Sequence, residues 1–374
     1  MTQLGVYIHY PYCRKLCPYC DFAVTVVPRA GAPHEAYVEA LLAELAAAPP
    51  LPERRLVSIY LGGGTPSLLP PPLIGRLVAA ARERFAALDA ALEVTLEANP
   101  TDCTAEQMAA WRAAGINRVS IGVQSTDPAE LALLGRDHHQ GDGAAALRRA
   151  LDAGFDAVSA DVIIGVPGVG AADSVAAVAD DGPTHLSVYE LTIEARTHFG
   201  KRTRRGSLQP LGDDSLAARY EAADRELASR GYEHYEISSY ARPGFRAVHN
   251  SLYWSGGDYL GLGAGAASFV RDAGGGGQRW TNVRSAAAYL RAPPGQAVAE
   301  RTPLSAAELT EDLLWLGMRT ADGVAEELFT GREAVVEKLI RADLARTGGG
   351  RIRPTMRGFL LHDQVARWIV AGRQ

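Results

Sequence analysis

Cysteine is scarce in this chain: four thiols among 374 residues. That excludes a secreted fold stapled by disulfides, since such frameworks are dense in cysteine. Also missing is any unbroken apolar run near the ~18 residues of a membrane-spanning helix. The first residues show no basic segment followed by an apolar stretch, so no secretory signal is read there. Positive charge is not in surplus either. The net charge is −5, which gives no general attraction to nucleic acid. The expectation is a cytoplasmic protein without a nucleic-acid partner, whose thiols stay reduced. What is present is an ordinary globular composition, 47% apolar and 22% charged. The length suits one barrel-sized domain and a smaller one.

Strand-like and helix-like stretches alternate through the first half. GVYIHY (5–10), LVSIYL (56–61), LEVTLE (92–97), RVSIGV (118–123), AVSADVIIG (157–165) and THLSVYEL (184–191) read as strands. In LEVTLE, Leu92, Val94 and Leu96 alternate with Glu93, Thr95 and Glu97. Between the strands, residues 35–47 and 73–86 carry helical spacing, and Thr104 with Gln107 forms a capping-box pattern. Strands alternating with helices imply parallel pairing and right-handed crossovers. Six such units predict an α/β fold, a partial (βα)6 TIM-like barrel or an open curved sheet. Beyond residue 195 the pattern changes. ARTHFGKRTRRGSLQP reads as basic and irregular, a helix is expected over 213–230, and GGGG (274–277) reads as a hairpin tip or flexible loop. The domain boundary is placed near 290, with a small, mainly helical domain over 291–374.

Three of the four cysteines fall in HYPYCRKLCPYCDF (9–22), on the loop leaving the first strand. Cys13, Cys17 and Cys20 are spaced C-x3-C-x2-C. Three thiolates there can hold three irons of a 4Fe–4S cluster and leave the fourth iron open. The alternative is a structural zinc, which requires a closed fourth ligand; His9, His34 and Cys103 are the candidates. The spacing favours the cluster, because it is not a usual zinc-knuckle spacing and no second Cys or His pair follows at finger-like distance.

C-x3-C-x2-C running into YCDF resembles the radical S-adenosylmethionine (radical SAM) family. Within it, the chain is similar to the branch that holds oxygen-independent coproporphyrinogen III oxidases and heme chaperones. The likeness extends through GGGTPSLL, LEANP, RVSIGVQS, LLGRDH, ADVIIGVPG, GYEHYEISSYA, HNSLYW and GDYLGLGAGAAS. It implies a radical SAM core over 1–290 and a cluster whose open iron chelates the amino and carboxylate groups of S-adenosyl-L-methionine. It also implies one or two molecules of that cosubstrate. Tyr7, Gly63 and Glu97 match contacts of a first; Gly64, Thr65, Gln124, Arg136 and Asp161 match those of a second. On the residues alone, the glycines of LGGGTP let backbone approach a ligand or turn tightly after a strand. Glu97, Gln124 and Asp161 sit on strands whose C-terminal ends face the mouth of a barrel.

HNSLYW (249–254) is similar to a motif associated with heme in the chaperones. In an extended segment His249 and Tyr253 would share one face, and imidazole is a common heme-iron ligand. A core histidine and tyrosine donating hydrogen bonds is the other reading. KRTRR (201–205) is a solvated loop, or a surface for porphyrin propionates or anionic lipid head groups in a peripheral membrane contact. Two departures from the oxidase pattern favour a heme chaperone that carries heme to acceptor proteins. Phe22 stands where the oxidases have a fourth cysteine, and only twelve residues precede Cys13. Oxidative decarboxylation of coproporphyrinogen III, by a 5′-deoxyadenosyl radical acting on a propionate, is the second expectation. A zinc-stabilised interaction protein is the third. Ala267 and Val248 stand where members of the family commonly carry His and Arg.

Overall fold

The computed structural model describes residues 1–28, 31–167 and 174–372, so Gly168, the last residue of ADVIIGVPG, lies outside them. One sheet organises the larger part of the chain. Its strands are β1 (Thr2–Tyr10), β2 (Arg54–Gly63), β3 (Ala87–Ala98), β4 (Arg118–Gln124), β5 (Ala157–Ile164), β6 (His185–Glu190), β7 (Glu233–Glu236), β8 (Ser239–Ala241), β9 (Asp258–Leu262), β10 (Ala267–Arg271), β11 (Gly277–Asn282) and β12 (Val298–Leu304). The spatial order is β12-β11-β10-β9-β1-β2-β3-β4-β5-β6-β8-β7. β1 to β6 pair in parallel, neighbour to neighbour, as the six predicted units require. β9 adds a further parallel strand on the outer side of β1. The sheet ends in antiparallel strands on both sides and does not close, so the architecture is a partial barrel.

Helices cover the outer face. His34–Ala47 buries Tyr37, Val38, Leu41 and Leu45, and Pro71–Arg84 buries Leu73, Ile74, Leu77 and Val78. They pack with Trp111 and the outward side chains of β3, Leu92, Val94 and Leu96, in one continuous core. Each such leucine contributes about 1.5–3 kcal/mol by leaving water. Thr104 caps the helix Ala105–Ala113 by accepting from the Gln107 amide at 3.2 Å. The polar side of LEVTLE does not face solvent. Glu93 and Thr95 are buried with Ser58, Arg118, Ser159 and His185, a polar layer inside the barrel.

Three local expectations are corrected. The main sheet continues past residue 290 to Leu304, because β12 pairs with β11. The KRTRR segment is helical: Thr197 caps His198–Arg204, its hydroxyl accepting from the Gly200 amide at 3.1 Å, and Phe199 is buried. HNSLYW is also a helix, Val248–Trp254, because the Glu93 carboxylate accepts from the Val248 and His249 amides at 3.0 and 2.9 Å. Those amides would otherwise be orphans of a helix start. GGGG lies at the turn between β10 and β11. The C-terminal part holds helices Ala306–Gly317, Glu333–Arg341, Met356–Leu360 and His362–Ala371 beside a small three-stranded sheet. It has its own buried core around Leu314, Leu339, Ile352 and Ile369. Among the described residues no helix is long and apolar enough to cross a membrane.

Candidate functional site

The loop after β1 brings Cys13, Cys17 and Cys20 to a cleft of about 310 Å³ at the C-terminal ends of the parallel strands. Cys13 is buried, while Cys17 and Cys20 are partly exposed. The glycine stretch after β2 seats this loop. The Gly64 amide donates to Tyr10 O at 2.7 Å and the Thr65 amide to Tyr12 O at 3.0 Å. A Cβ on Gly64 would lie 2.8 Å from Tyr12 O and 3.0 Å from Cys13 Sγ. Gly63 has φ of 114°, and its amide donates to Glu97 at 3.0 Å. The amides of all three residues are therefore engaged within the protein. The glycines here serve close approach of two loops, and Thr65 Oγ1 adds a donor 3.5 Å from Cys13 Sγ.

The opposite wall is polar. Glu97 accepts from Tyr60 Oη at 2.8 Å and from the Gly63 amide. Burial, then the nearby negative charge of Asp161, pushes its carboxyl up to about 7. Asp161 accepts from Ser120 Oγ at 3.1 Å, and burial raises it too. Two desolvated carboxylates favour a cationic ligand, which would relieve both penalties. Arg136 donates to Asn99 Oδ1 at 2.8 Å and Gly122 O at 3.0 Å, and its Nη1 reaches Cys17 Sγ at 3.8 Å. Its Nε is buried with no partner. Gln124 ends β4 with φ of 65°. That left-handed conformation costs a non-glycine residue about 1–2 kcal/mol, and such strain concentrates at ligand sites.

Gly63, Gly64, Thr65, Glu97, Gln124, Arg136 and Asp161 thus line one cleft with the three cysteines. Tyr7 does not line it. Its hydroxyl pairs with His9 Nδ1 at 2.9 Å, and it faces a neighbouring cleft. His249 is buried with both ring nitrogens taken, by Ser58 Oγ at 2.8 Å and Tyr253 Oη at 2.8 Å. In this arrangement it has no lone pair for heme iron. Burial, reinforced by the positive charge of Arg118, lowers it to about 3. His249 and Tyr253 do share a face, but as helical neighbours four apart. Residues the sequence reading passed over are Tyr60, Asn99 and Ser120, which hold Glu97, Arg136 and Asp161. Asn99 stood in the quoted LEANP, whereas Tyr60 looked like one more buried strand residue.

The three thiols fit an iron–sulfur cluster better than a zinc ion. A structural zinc needs a closed fourth ligand beside three thiolates. The candidates for a fourth zinc ligand point elsewhere. His9 pairs with Tyr7 and with Ala23 O, and His34 pairs with Tyr10 Oη at 2.8 Å. Cys103 is in the core and donates to Asn99 O at 3.2 Å.

The radical SAM superfamily model matches residues 7–179. Along 98% of this chain and 94% of its own length, the heme chaperone HemW of Mycobacterium tuberculosis is 39% identical. The chain belongs to the radical SAM superfamily. HemW of Escherichia coli is 34% identical over 92% of this chain and 90% of its own. The mitochondrial radical S-adenosyl methionine domain-containing protein 1 of Bos taurus is 37% identical over 87% of this chain and 75% of its own. In fold, the chain is similar to coproporphyrinogen III oxidase (HemN) from Escherichia coli, with a TM-score of 0.81 over 98% of this chain and 90% of that one at 22% identity. Membership of the superfamily implies a 4Fe–4S cluster and S-adenosyl-L-methionine.

Proposed function

We propose that this chain is a heme chaperone, which binds heme as cargo and passes it to heme-acceptor proteins. The full-length similarity to proteins named as heme chaperones carries the reading. The site supports it. The residue two places after Cys20 is Phe22, 71% exposed, and with Leu16 and Tyr189 it gives the cleft an apolar rim. Such a rim suits a flat, largely apolar ligand more than a closed reaction chamber. The cytoplasm is the compartment this reading needs, since three free thiols persist there for cluster assembly.

Cys13, Cys17 and Cys20 would hold the cluster. When bound, it supplies an electron, and its open iron a chelating position for the cosubstrate. The remaining roles belong to the chain. Glu97 is fixed on both oxygens by Tyr60 and Gly63 and keeps further lone pairs for an ammonium or a ribose hydroxyl. Gly63 and Glu97 would serve a first S-adenosyl-L-methionine. Gly64, Thr65, Gln124, Arg136 and Asp161 would serve a second.

The test is anaerobic reconstitution, then heme titration and a coproporphyrinogen III decarboxylation assay on one sample. Stoichiometric heme binding without decarboxylation is expected. Conversion of coproporphyrinogen III to protoporphyrinogen IX at an ordinary enzymatic rate would replace the chaperone reading with the oxidase. Failure of both activities leaves only the superfamily assignment.

A further inference from the structure

Beside the cysteine loop, on its other side, lies a second cleft of about 390 Å³. Tyr7, Phe22, Tyr253 and Tyr259 line it, with the small side chain of Ala267. Its aromatic wall is fixed from behind. Tyr253 meets Tyr259 edge to face, with centroids 4.7 Å apart at 83°. His249 packs against Tyr253 at 90° and bonds its hydroxyl. Locked aromatic faces are a pre-organised surface for a flat ligand. Phe22 belongs to both clefts and is largely in water, so a planar molecule laid against it would remove apolar area at no cost in side-chain burial elsewhere.

The rim carries surplus positive charge. Arg196 forms an ion pair with Asp21, and Arg284 donates to Asp21 O at 2.8 Å. Arg196 thus bonds the Asp21 carboxylate directly, while Arg284 bonds the backbone oxygen and acts on that carboxylate only through its charge. The helix His198–Arg204, which carries Lys201, Arg202 and Arg204, is tied to the cysteine loop by the Phe199 amide donating to Pro18 O at 2.9 Å. Among the described residues, His9 is the one histidine that lines the cleft. His9 is bonded on both sides by Tyr7 and Ala23 O.

We propose that this second cleft binds the macrocycle of a tetrapyrrole dianion. The ring lies between Phe22 and the Tyr253–Tyr259 wall, and its carboxylates meet Arg284 and Arg196. The proposal rests on the heme reading above and adds where and how the cargo is held. Recognition is by ring face and carboxylate, not by an axial ligand to iron. Metal-free protoporphyrin IX should therefore bind about as well as hemin.

The reconstituted full chain is titrated with hemin and with metal-free protoporphyrin IX, following the Soret band and protein fluorescence. Two variants accompany it. Ala267→Trp fills the cleft. Arg284→Glu reverses a rim charge on an exposed residue, so it leaves the fold intact. Both variants are expected to weaken both porphyrins by about tenfold or more, with the cluster spectrum and S-adenosyl-L-methionine binding as in the parent. Unchanged porphyrin affinity in Arg284→Glu and Ala267→Trp would overturn the site and leave the heme reading standing. Binding of hemin without the metal-free ring would overturn macrocycle recognition in favour of an iron ligand. A parent chain that binds neither porphyrin would end the heme reading and this site together.

Discussion

Burial sorts the four cysteines by the chemistry open to them. Cys13 is pushed up to about 11 by burial but stands at the cleft, where a metal would deprotonate it outright. Cys103 is pushed further up by burial within the core and is satisfied by Asn99 O. Cys103→Ser is therefore expected to leave iron and sulfide content unchanged, whereas Cys17→Ser abolishes it; elemental analysis of reconstituted protein decides. Glu97 offers a second residue-scale prediction. Glu97→Gln keeps the shape and removes the charge, so S-adenosyl-L-methionine should bind more weakly by about 1.5–3 kcal/mol, the worth of a charged hydrogen bond. Calorimetric titration reads it, and an unchanged affinity would remove Glu97 from the cosubstrate site. His249 sets a pH dependence. Its folded value is about 3, against about 6.5 unfolded. Between those values only the unfolded chain binds the proton, so acid favours unfolding by up to about 1.4 kcal/mol per pH unit. Glu97 acts oppositely, since its folded value of about 7 lies above the unfolded one and it stabilises as pH falls toward about 4.3. The contribution of His249 is thus clearest below that point. His249→Gln should flatten the loss of stability there, measured by urea unfolding at successive pH values.

Among elements, the helix Val248–Trp254 depends most on something distant. Glu93 on β3 accepts its first two amides and faces the buried Arg118 at 3.8 Å. Glu93→Ala strips the cap and leaves a buried cation unpaired, which costs about 3–5 kcal/mol. Hydrogen exchange should then show the amides of Val248 and His249 opening first; retained protection would show that the helix holds without its cap. This element also marks the limit of what the sequence discloses. The six parallel strands were legible because each is a short apolar run bounded by turn residues. In LEVTLE the alternation was legible, but not that Glu93 and Thr95 turn into the barrel, since inside and outside of a strand look alike until its neighbours are placed. HNSLYW gave no helix signal because its cap comes from another strand. The basic stretch concealed a helix because Phe199 is the one large side chain it buries. That Cys13, Cys17 and Cys20 come together at one cleft was legible because they are close in sequence. The engagement of the Gly64 and Thr65 amides by the cysteine loop was not, since it is a contact between loops.

At the scale of the molecule, the two largest hydrophobic clusters among the described residues belong to the barrel and to the C-terminal part. The barrel core joins the sheet to its outer helices, and the C-terminal core gathers Leu314, Met318, Leu339, Ile352 and Ile369. The seam between them carries backbone hydrogen bonds and a cation–π contact. The Ile237 amide donates to Arg319 O at 3.1 Å, the Ala321 amide donates to Tyr235 O at 2.9 Å, and the Arg319 guanidinium lies 4.7 Å from the Trp254 ring. Tyr220, Ile237 and Phe359 add a minor apolar contact. Trp254 closes the helix whose other face, at Tyr253, lines the second cleft. The C-terminal part thus braces that cleft from behind without reaching the cysteines. Cooperative unfolding units often coincide with such separately packed parts, so the two cores are expected to unfold separately. Leu339 is fully buried in the smaller core, and Leu339→Ala should cost about 2–5 kcal/mol. The loss should fall on one unit: an early unfolding transition confined to 306–372 by hydrogen exchange, with the cluster absorbance persisting to a later one. A single transition in which absorbance and C-terminal protection vanish together would show instead that the two cores fold as one.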